Sequence, residues 1–269
     1  MNEQFRTGAM AIKIDHWHGV GWKLLAESGA SAALNLAIDE VLTRRVADGT
    51  RPVTLRFWGW NEAAVVLGRF QSVRNEVDLD AARELGVTVV RRMSGGGAMF
   101  VQPEKTITYS LYLPEQLAAG WSIKDSYEAC DRWAVETFCE LGVNCWYVPL
   151  NDITSPEGKI AGAAQARKPR VVLHHTTIAY ELDNDEMRRI LRLGREKVSD
   201  KGIPSAVKRV SPLRRFLPLP RGEVVEQLIQ GFRRRFGLTE SALTAEERAD
   251  AERLAAERYA TAAWTYDLP

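Results

Sequence analysis

Two segments of the chain bring together groups able to do chemistry. One is Arg91-Arg92-Met93-Ser94-Gly95-Gly96-Gly97-Ala98-Met99-Phe100; the other is Asn151-Asp152-Ile153 followed by Gly158-Lys159-Ile160-Ala161-Gly162. Consecutive glycines let backbone amides approach a ligand closely and point at phosphate oxygens. Flanking arginines add a charge that persists at physiological pH and grips phosphate or carboxylate with two prongs. Ser94 can donate one more hydrogen bond. The order is neither GxxxxGK[ST] nor GxGxxG, and the alternative is a tight turn between strands with two solvated arginines.

In the second segment, Lys159 sits among small residues that let a substrate pack against the backbone. An ammonium so placed can neutralise a carboxylate attacking an α-phosphate, or steady a leaving oxygen; the alternative is a solvated lysine. Asp152 suits Mg²⁺, which takes one or two protein carboxylates plus nucleotide phosphates. Asn151 can hydrogen-bond a base or ribose, or serve as a turn residue beside Pro149. Side by side, the segments suit a nucleotide phosphate and a carboxylic acid, hence acyl activation. His174 and His175 are adjacent, so on a strand they face opposite ways; that spacing is poor for a shared metal and fits a structural or substrate-lining role. Trp58 and Trp60 are core residues, or Gly59 presents one of them over an elongated apolar substrate.

The elements that must hold these groups follow from periodicity. Residues 32–46 repeat apolar side chains at helical spacing, which predicts an amphipathic helix. Val53 to Phe57 and Ala64 to Leu67 read as strands joined by the Trp58–Asn61 turn, Asp78 to Leu85 as a short helix, and Val87 to Val90 as a strand entering the double arginine. Thr106 to Leu113 alternates cleanly and predicts another strand. Val171 to Leu173 and Thr176 to Tyr180 predict strand around the histidines. Ser122 with Asp125, Asp183 with Glu186, and Thr244 with Glu247 mark helix starts. The expected fold class is α/β, a mixed sheet flanked by helices, as one domain over 15–269 with a helical end from about 221 and a joint at Leu217-Pro218-Leu219-Pro220.

Net charge is +1, which favours neither nucleic acid nor an acidic membrane. The basic residues cluster only locally, at Arg188–Arg195 and Lys208–Arg215. No apolar run approaches the roughly 20 residues that cross a bilayer, and the N-terminus lacks a signal-type core. Cys130, Cys139 and Cys145 form no CxxC, which fits a reducing compartment, or simply small core residues. A cytoplasmic protein is expected.

Several of these stretches together resemble the lipoate-protein ligase A family of the biotin/lipoate ligase superfamily. Leu34-Asn35-Leu36-Ala37-Ile38-Asp39-Glu40 is similar to its first helix, and Val65 to Gln71 to its strand ending in a G-x-x-Q turn. Arg91 to Phe100 is similar to R-R-x-S-G-G-G-A-V-F. Asn151-Asp152-Ile153 with Lys159 to Ala164 is similar to N-D-L followed by K-x-S-G-S-A, and Lys201-Gly202-Ile203 with Lys208-Arg209-Val210 to K-G-I…S-R-V. The resemblance implies a catalytic domain like that of class II aminoacyl-tRNA synthetases. It implies ATP with Mg²⁺, attack of lipoate or octanoate on ATP to give an acyl-adenylate, and transfer to a lysine. The acceptor would be a lipoyl domain of a 2-oxoacid dehydrogenase subunit or the glycine cleavage H protein.

Carried over by position, Lys159 is the catalytic residue. Adenylate binding falls to Arg92, Ser94, Gly95, Gly96, Gly97, Ala98, Met99, Phe100, Asn151, Asp152, Lys159, Gly162 and Ala163, with Asp152 as the Mg²⁺ ligand. Trp58, Gly68 and His174 are acyl-pocket candidates. The sequence departs from the pattern where Val101-Gln102 replaces His-Asp, where Ala161 and Ala163 replace serines, and where it ends soon after Trp264 without an accessory domain, so that an accessory ligase subunit becomes a candidate partner. The rival is an octanoyl or lipoyl transferase that takes the acyl group from a carrier thioester, with Cys145 as nucleophile; a second rival is a non-catalytic lipoate-binding subunit. The GGGA loop, unlike the transferases' G-G-R-G, and the apolar neighbours of Cys145 favour the ATP-dependent ligase.

Overall fold

The structure, a computed structural model, describes residues 14–192 and 210–269. The motif residues Lys201-Gly202-Ile203 and Lys208-Arg209 lie outside the described residues. In chain order the first elements are β1 (Lys23–Ala26), α1 (Ala32–Ala47), β2 (Thr54–Trp58), β3 (Ala64–Leu67), α2 (Val73–Glu76), α3 (Leu79–Glu84) and β4 (Thr88–Arg91). They are followed by β5 (Met99–Val101), β6 (Thr106–Pro114), α4 (Ile123–Glu140), β7 (Trp146–Val148), β8 (Asp152–Ser155), β9 (Gly158–Lys168), β10 (Val171–Ala179) and α5 (Asn184–Ile190). The last are α6 (Arg221–Phe236), β11 (Thr239–Glu240), α7 (Ala245–Leu254), a π-helical turn at Ala255–Tyr259, and α8 (Ala262–Thr265).

Eight strands form one mixed sheet in the order β11-β1-β2-β6-β10-β9-β8-β7, and β4-β3-β5 form a smaller one. The expected mixed α/β fold is therefore present. Alternation along the central strands divides the large sheet between two cores. Ile107, Tyr109, Leu111 and Leu113 of β6 join a cluster with Trp133, Phe138, Leu228 and Phe232 of α4 and α6. Tyr112 and Leu173 instead join residues of α1 and Tyr259. Each helix start expected from Ser122, Asp183 and Thr244 is a real cap, with the side chain accepting from backbone amides of the first turn.

The strand expected at Thr106 to Leu113 is β6, and all but its last residue are buried, because helices cover both sides of the sheet. One expectation is corrected by packing: α1 is not amphipathic in the ordinary sense, since every residue from Asn35 to Thr43 is buried. It lies between the sheet and the C-terminal helices, and it carries buried charge toward each. Asp39 meets Arg56 of β2, while Glu40 meets Arg258 and Tyr259.

The double arginine ends β4, and neither side chain is solvated. Arg91 spends its guanidinium on carbonyls of two segments, Gly68, Arg69 and Gln71 on one side and Thr265 and Leu268 on the other. Trp264 Nε1 donates back to Arg91 O at 2.8 Å, and Arg69 both pairs with Asp267 and lies over the Trp264 ring. The C-terminal residues are thereby strapped to the turn after β3. No helix among the described residues is long and apolar enough to cross a membrane.

Candidate functional site

A cavity of about 340 Å³ opens between the glycine loop (residues 92–98, joining β4 to β5), the β8–β9 hairpin, β10 and α5. Its wall includes Arg92, Gly96, Gly97, Ala98, Met99 and Phe100 from the loop and β5, and Asn151, Asp152, Lys159, Gly162 and Ala163 from the hairpin. Residues far apart in sequence thus converge, as the two motifs required. Apolar groups such as Leu182, Met187 and Leu191 complete the wall.

Lys159 Nζ lies 2.7 Å from Asp152 Oδ1; the lysine is about a quarter exposed and the aspartate nearly inaccessible. The lysine reaches its partner by lying across β9 over Gly162. A Cβ on Gly162 would stand 2.5 Å from Nζ and 2.7 Å from Cε, so only glycine leaves this path open. Asp152, the expected Mg²⁺ ligand, is thus ion-paired to the lysine. No group of three or more His, Cys, Asp or Glu able to hold a metal occurs among the described residues. Asn151 donates from Nδ2 to Ala163 O at 2.7 Å and accepts at its own carbonyl from Ala163 N, so its amide side chain braces the hairpin.

Arg92 laces the glycine loop from within. Its Nε donates to Ser94 Oγ at 2.9 Å, Nη1 to Val66 O at 3.1 Å, and Nη2 to Gly95 O at 2.6 Å and Gly97 O at 2.8 Å. Burial lowers its pKa to about 10. Ser94 is fully buried behind the loop. Gly68 also lies behind it rather than in the wall: a Cβ there would fall 2.0 Å from Gly96 O.

Three other candidates stand away from the cavity. His174 faces the α4 side of the sheet, its Nε2 2.8 Å from Asp131 Oδ1, and the residue in the wall is its neighbour His175. Trp58 is buried under Ser110, to which its indole donates. Cys145 packs in the core with its thiol toward Val135 O, and burial, reinforced by Cys139, pushes that thiol well above the ordinary cysteine range.

Sequence reasoning gave His175 only a structural or substrate-lining role and gave Asp39 none of its own. His175 Nε2 lies 2.7 Å from Ser94 Oγ and Nδ1 lies 2.9 Å from Asp39 Oδ2. Burial lowers the His175 pKa, partly countered by Asp39. For Asp39 burial alone would raise the pKa, but the His175 bond and the Arg56 charge outweigh it and hold the carboxyl below its usual range. The available signal was the strand alternation itself: His175, Thr177 and Ala179 share the face that meets the glycine loop.

The relatives of this chain correct the functional expectation. Octanoyltransferase LipM of Geobacillus kaustophilus is 30% identical, covering 91% of this chain and 98% of that protein. Octanoyltransferase LipM of Symbiobacterium thermophilum is 31% identical, covering 90% and 97%. Among solved structures, a bipartite lipoate protein ligase from Thermoplasma acidophilum superposes with a TM-score of 0.80 at 28% identity, covering 93% of this chain and 98% of that one. The ATP-dependent ligase expectation is overturned by the full-length likeness to transferases. The expectations of ATP, Mg²⁺ and an accessory ligase subunit rested on it. The error has a structural origin: the motifs that suggested a ligase build the loop, hairpin and first helix, which are fold features compatible with either chemistry. The sequence profile described as "Lipoyl protein ligase A/B catalytic domain" matches residues 31–233, and the chain belongs to that family.

Proposed function

We propose that this chain is an acyltransferase that moves an octanoyl group from a carrier thioester to a lysine of a lipoyl domain, on a 2-oxoacid dehydrogenase subunit or the glycine cleavage H protein. The reading includes a cytoplasmic setting. The observation that carries the reading is the Lys159 ammonium, fixed by Asp152 over Gly162 at the wall of a largely apolar cavity. The likeness to octanoyltransferases along nearly the whole chain supports the acyl group and the reaction type.

In this reading the acyl tail lies against the apolar wall and the thioester carbonyl sits beside Lys159. The acceptor lysine nitrogen attacks the carbonyl carbon, the C–S bond breaks, and the carrier thiol departs with the proton that the nitrogen gives up. Negative charge on the carbonyl oxygen is offset by the ammonium. The withdrawn, buried position of Cys145 supports direct handover to the acceptor amine rather than an intermediate on that thiol.

The test is mass-spectrometric detection of octanoyl transfer from an octanoylated carrier protein to a lipoyl domain. Lys159→Ala is expected to lower kcat/KM by about 100-fold or more with the fold retained, and Cys145→Ser to keep most of the activity. Absence of transfer by the unaltered chain would overturn the function; loss on Cys145→Ser alone would overturn only the direct route.

A further inference from the structure

Four side chains from the glycine loop, β10 and α1 form one directed chain of hydrogen bonds along the cavity wall: Arg92, Ser94, His175 and Asp39. A guanidinium only donates and a carboxylate only accepts, and with the imidazole neutral, as burial favours, this fixes the protons between them. Arg92 gives Nε–H to Ser94, Ser94 gives its hydroxyl hydrogen to His175 Nε2, and His175 gives Nδ1–H to Asp39. The terminus is rigid, because Asp39 also accepts from Arg56, Tyr112 and Ser110.

The order serine, histidine, aspartate is that of a hydrolytic triad. Here, however, Ser94 is fully buried, does not reach the cavity, and already accepts from Arg92, so it is not placed to attack a substrate. The chain reaches the cavity at the guanidinium and at His175, whose two ring nitrogens are already engaged by Ser94 and Asp39. Among the described residues no carboxylate lies within ion-pairing distance of Arg92. Its contacts are neutral oxygens of Val66, Ser94, Gly95 and Gly97, which occupy four of its five N–H groups. A buried cation without a contacting anion, in the wall of a cavity, is suited to negative charge that appears only during reaction.

Resting on the transferase reading above, we propose that His175 and Asp39 are positioning residues for acyl transfer. Acting through Ser94, they hold the Arg92 guanidinium at the glycine loop, so that its charge faces the acyl carbonyl oxygen as the thioester is attacked. Arg92 stays cationic at neutral pH even with its pKa lowered to about 10. In a water-poor wall its charge acts more strongly than in solution.

The experiment uses the full chain with Ser94→Ala, His175→Gln and the double substitution, each checked for folding by circular dichroism and Tm. Octanoyl transfer is measured as kcat and KM for the carrier. Each single change is expected to lower kcat about 10- to 100-fold with KM for the carrier nearly unchanged. The double is expected to be no worse than the poorer single, because both remove one chain. A purely structural role would instead lower Tm and the active fraction without changing kcat per folded molecule. Independently of activity, ¹⁵N NMR of the unaltered protein is expected to show His175 protonated at Nδ1 and bare at Nε2.

Singles with kcat within twofold of normal, a double that falls by the product of the singles, or an Nε2–H tautomer would each overturn the proposal. An unaltered protein without octanoyl transfer would sink the function and the catalytic purpose of the chain together, while the NMR result would still decide the hydrogen-bond arrangement.

Discussion

Replacing Gly162 by alanine separates the position of the Lys159 ammonium from its presence. The added Cβ would stand 2.5 Å from Lys159 Nζ and 2.7 Å from Cε, whereas ordinary contact begins at 3.4 Å. The end of the lysine must therefore move by about 0.9 Å, away from the position that places it 2.7 Å from Asp152 Oδ1. The obstacle is the mobile end of a side chain, so the backbone need not shift, and alanine in a strand is favoured over glycine by roughly 0.5–1 kcal/mol. Stability should change little. A displacement near 1 Å costs on the order of 100-fold in rate, equivalent to about 2.7 kcal/mol of transition-state stabilisation. The assay is kcat/KM for octanoyl transfer, with Tm measured alongside. Lys159→Ala combined with Gly162→Ala should be no slower than Lys159→Ala alone, because the glycine acts only through the lysine. Normal activity in Gly162→Ala, or losses that multiply in the double variant, would refute the argument.

Gly68→Ala should behave differently, since its Cβ would meet the Gly96 carbonyl at 2.0 Å and backbone must give way. A loss of about 1–3 kcal/mol in chemical denaturation together with loss of transfer is expected, and unchanged unfolding would count against the close loop contact. His175 contributes a pH dependence of definite sign. Its folded pKa is lowered from 6.5, so the unfolded chain binds the extra proton. Its contribution to stability is therefore complete above pH 6.5 and is lost as pH falls from there toward the folded pKa, with a slope of up to about 1.4 kcal/mol per pH unit. Asp39, lowered from 3.8, adds a loss of the same sign only in more acidic solution. Denaturation midpoints across pH 5–7 (a range of about two units) should lose the histidine component in His175→Gln; an unaltered slope would contradict the neutral, buried imidazole.

Much of the scaffold was legible because its signals are local. Side-chain caps at Ser122, Asp183 and Thr244 and the β-branched runs of β3 and β4 specify their elements without outside help. The juxtaposition of glycine loop and lysine segment was also readable, since both motifs carry residues with little purpose elsewhere. The roles of the arginines were not. Arg91 resembled a ligand-binding cation, but its donors serve backbone carbonyls contributed by distant segments, which no local pattern encodes; Arg92 does line the cavity, yet Val66 and its own loop take four of its N–H groups. Choosing between His174 and His175 required knowing which face of β10 meets the loop. Asp39 sits in an apolar-looking helix, and its purpose depends on two strands and a histidine more than a hundred residues away. The reaction itself escaped because a loop, a lysine and a cavity suit more than one activated acyl donor.

The strap formed by Arg91 and Trp264 makes the far end of the chain a lever on the cavity. Leu268 O accepts from Val73 N and Pro269 O accepts from Ser72 Oγ, so the last residues grip the turn whose Arg69 amide donates to Ser94 O in the glycine loop. A purification tag or fluorescent fusion joined at Pro269 would therefore not be a silent handle. It would tug on Ser72 and Val73, and through Arg69 on the loop.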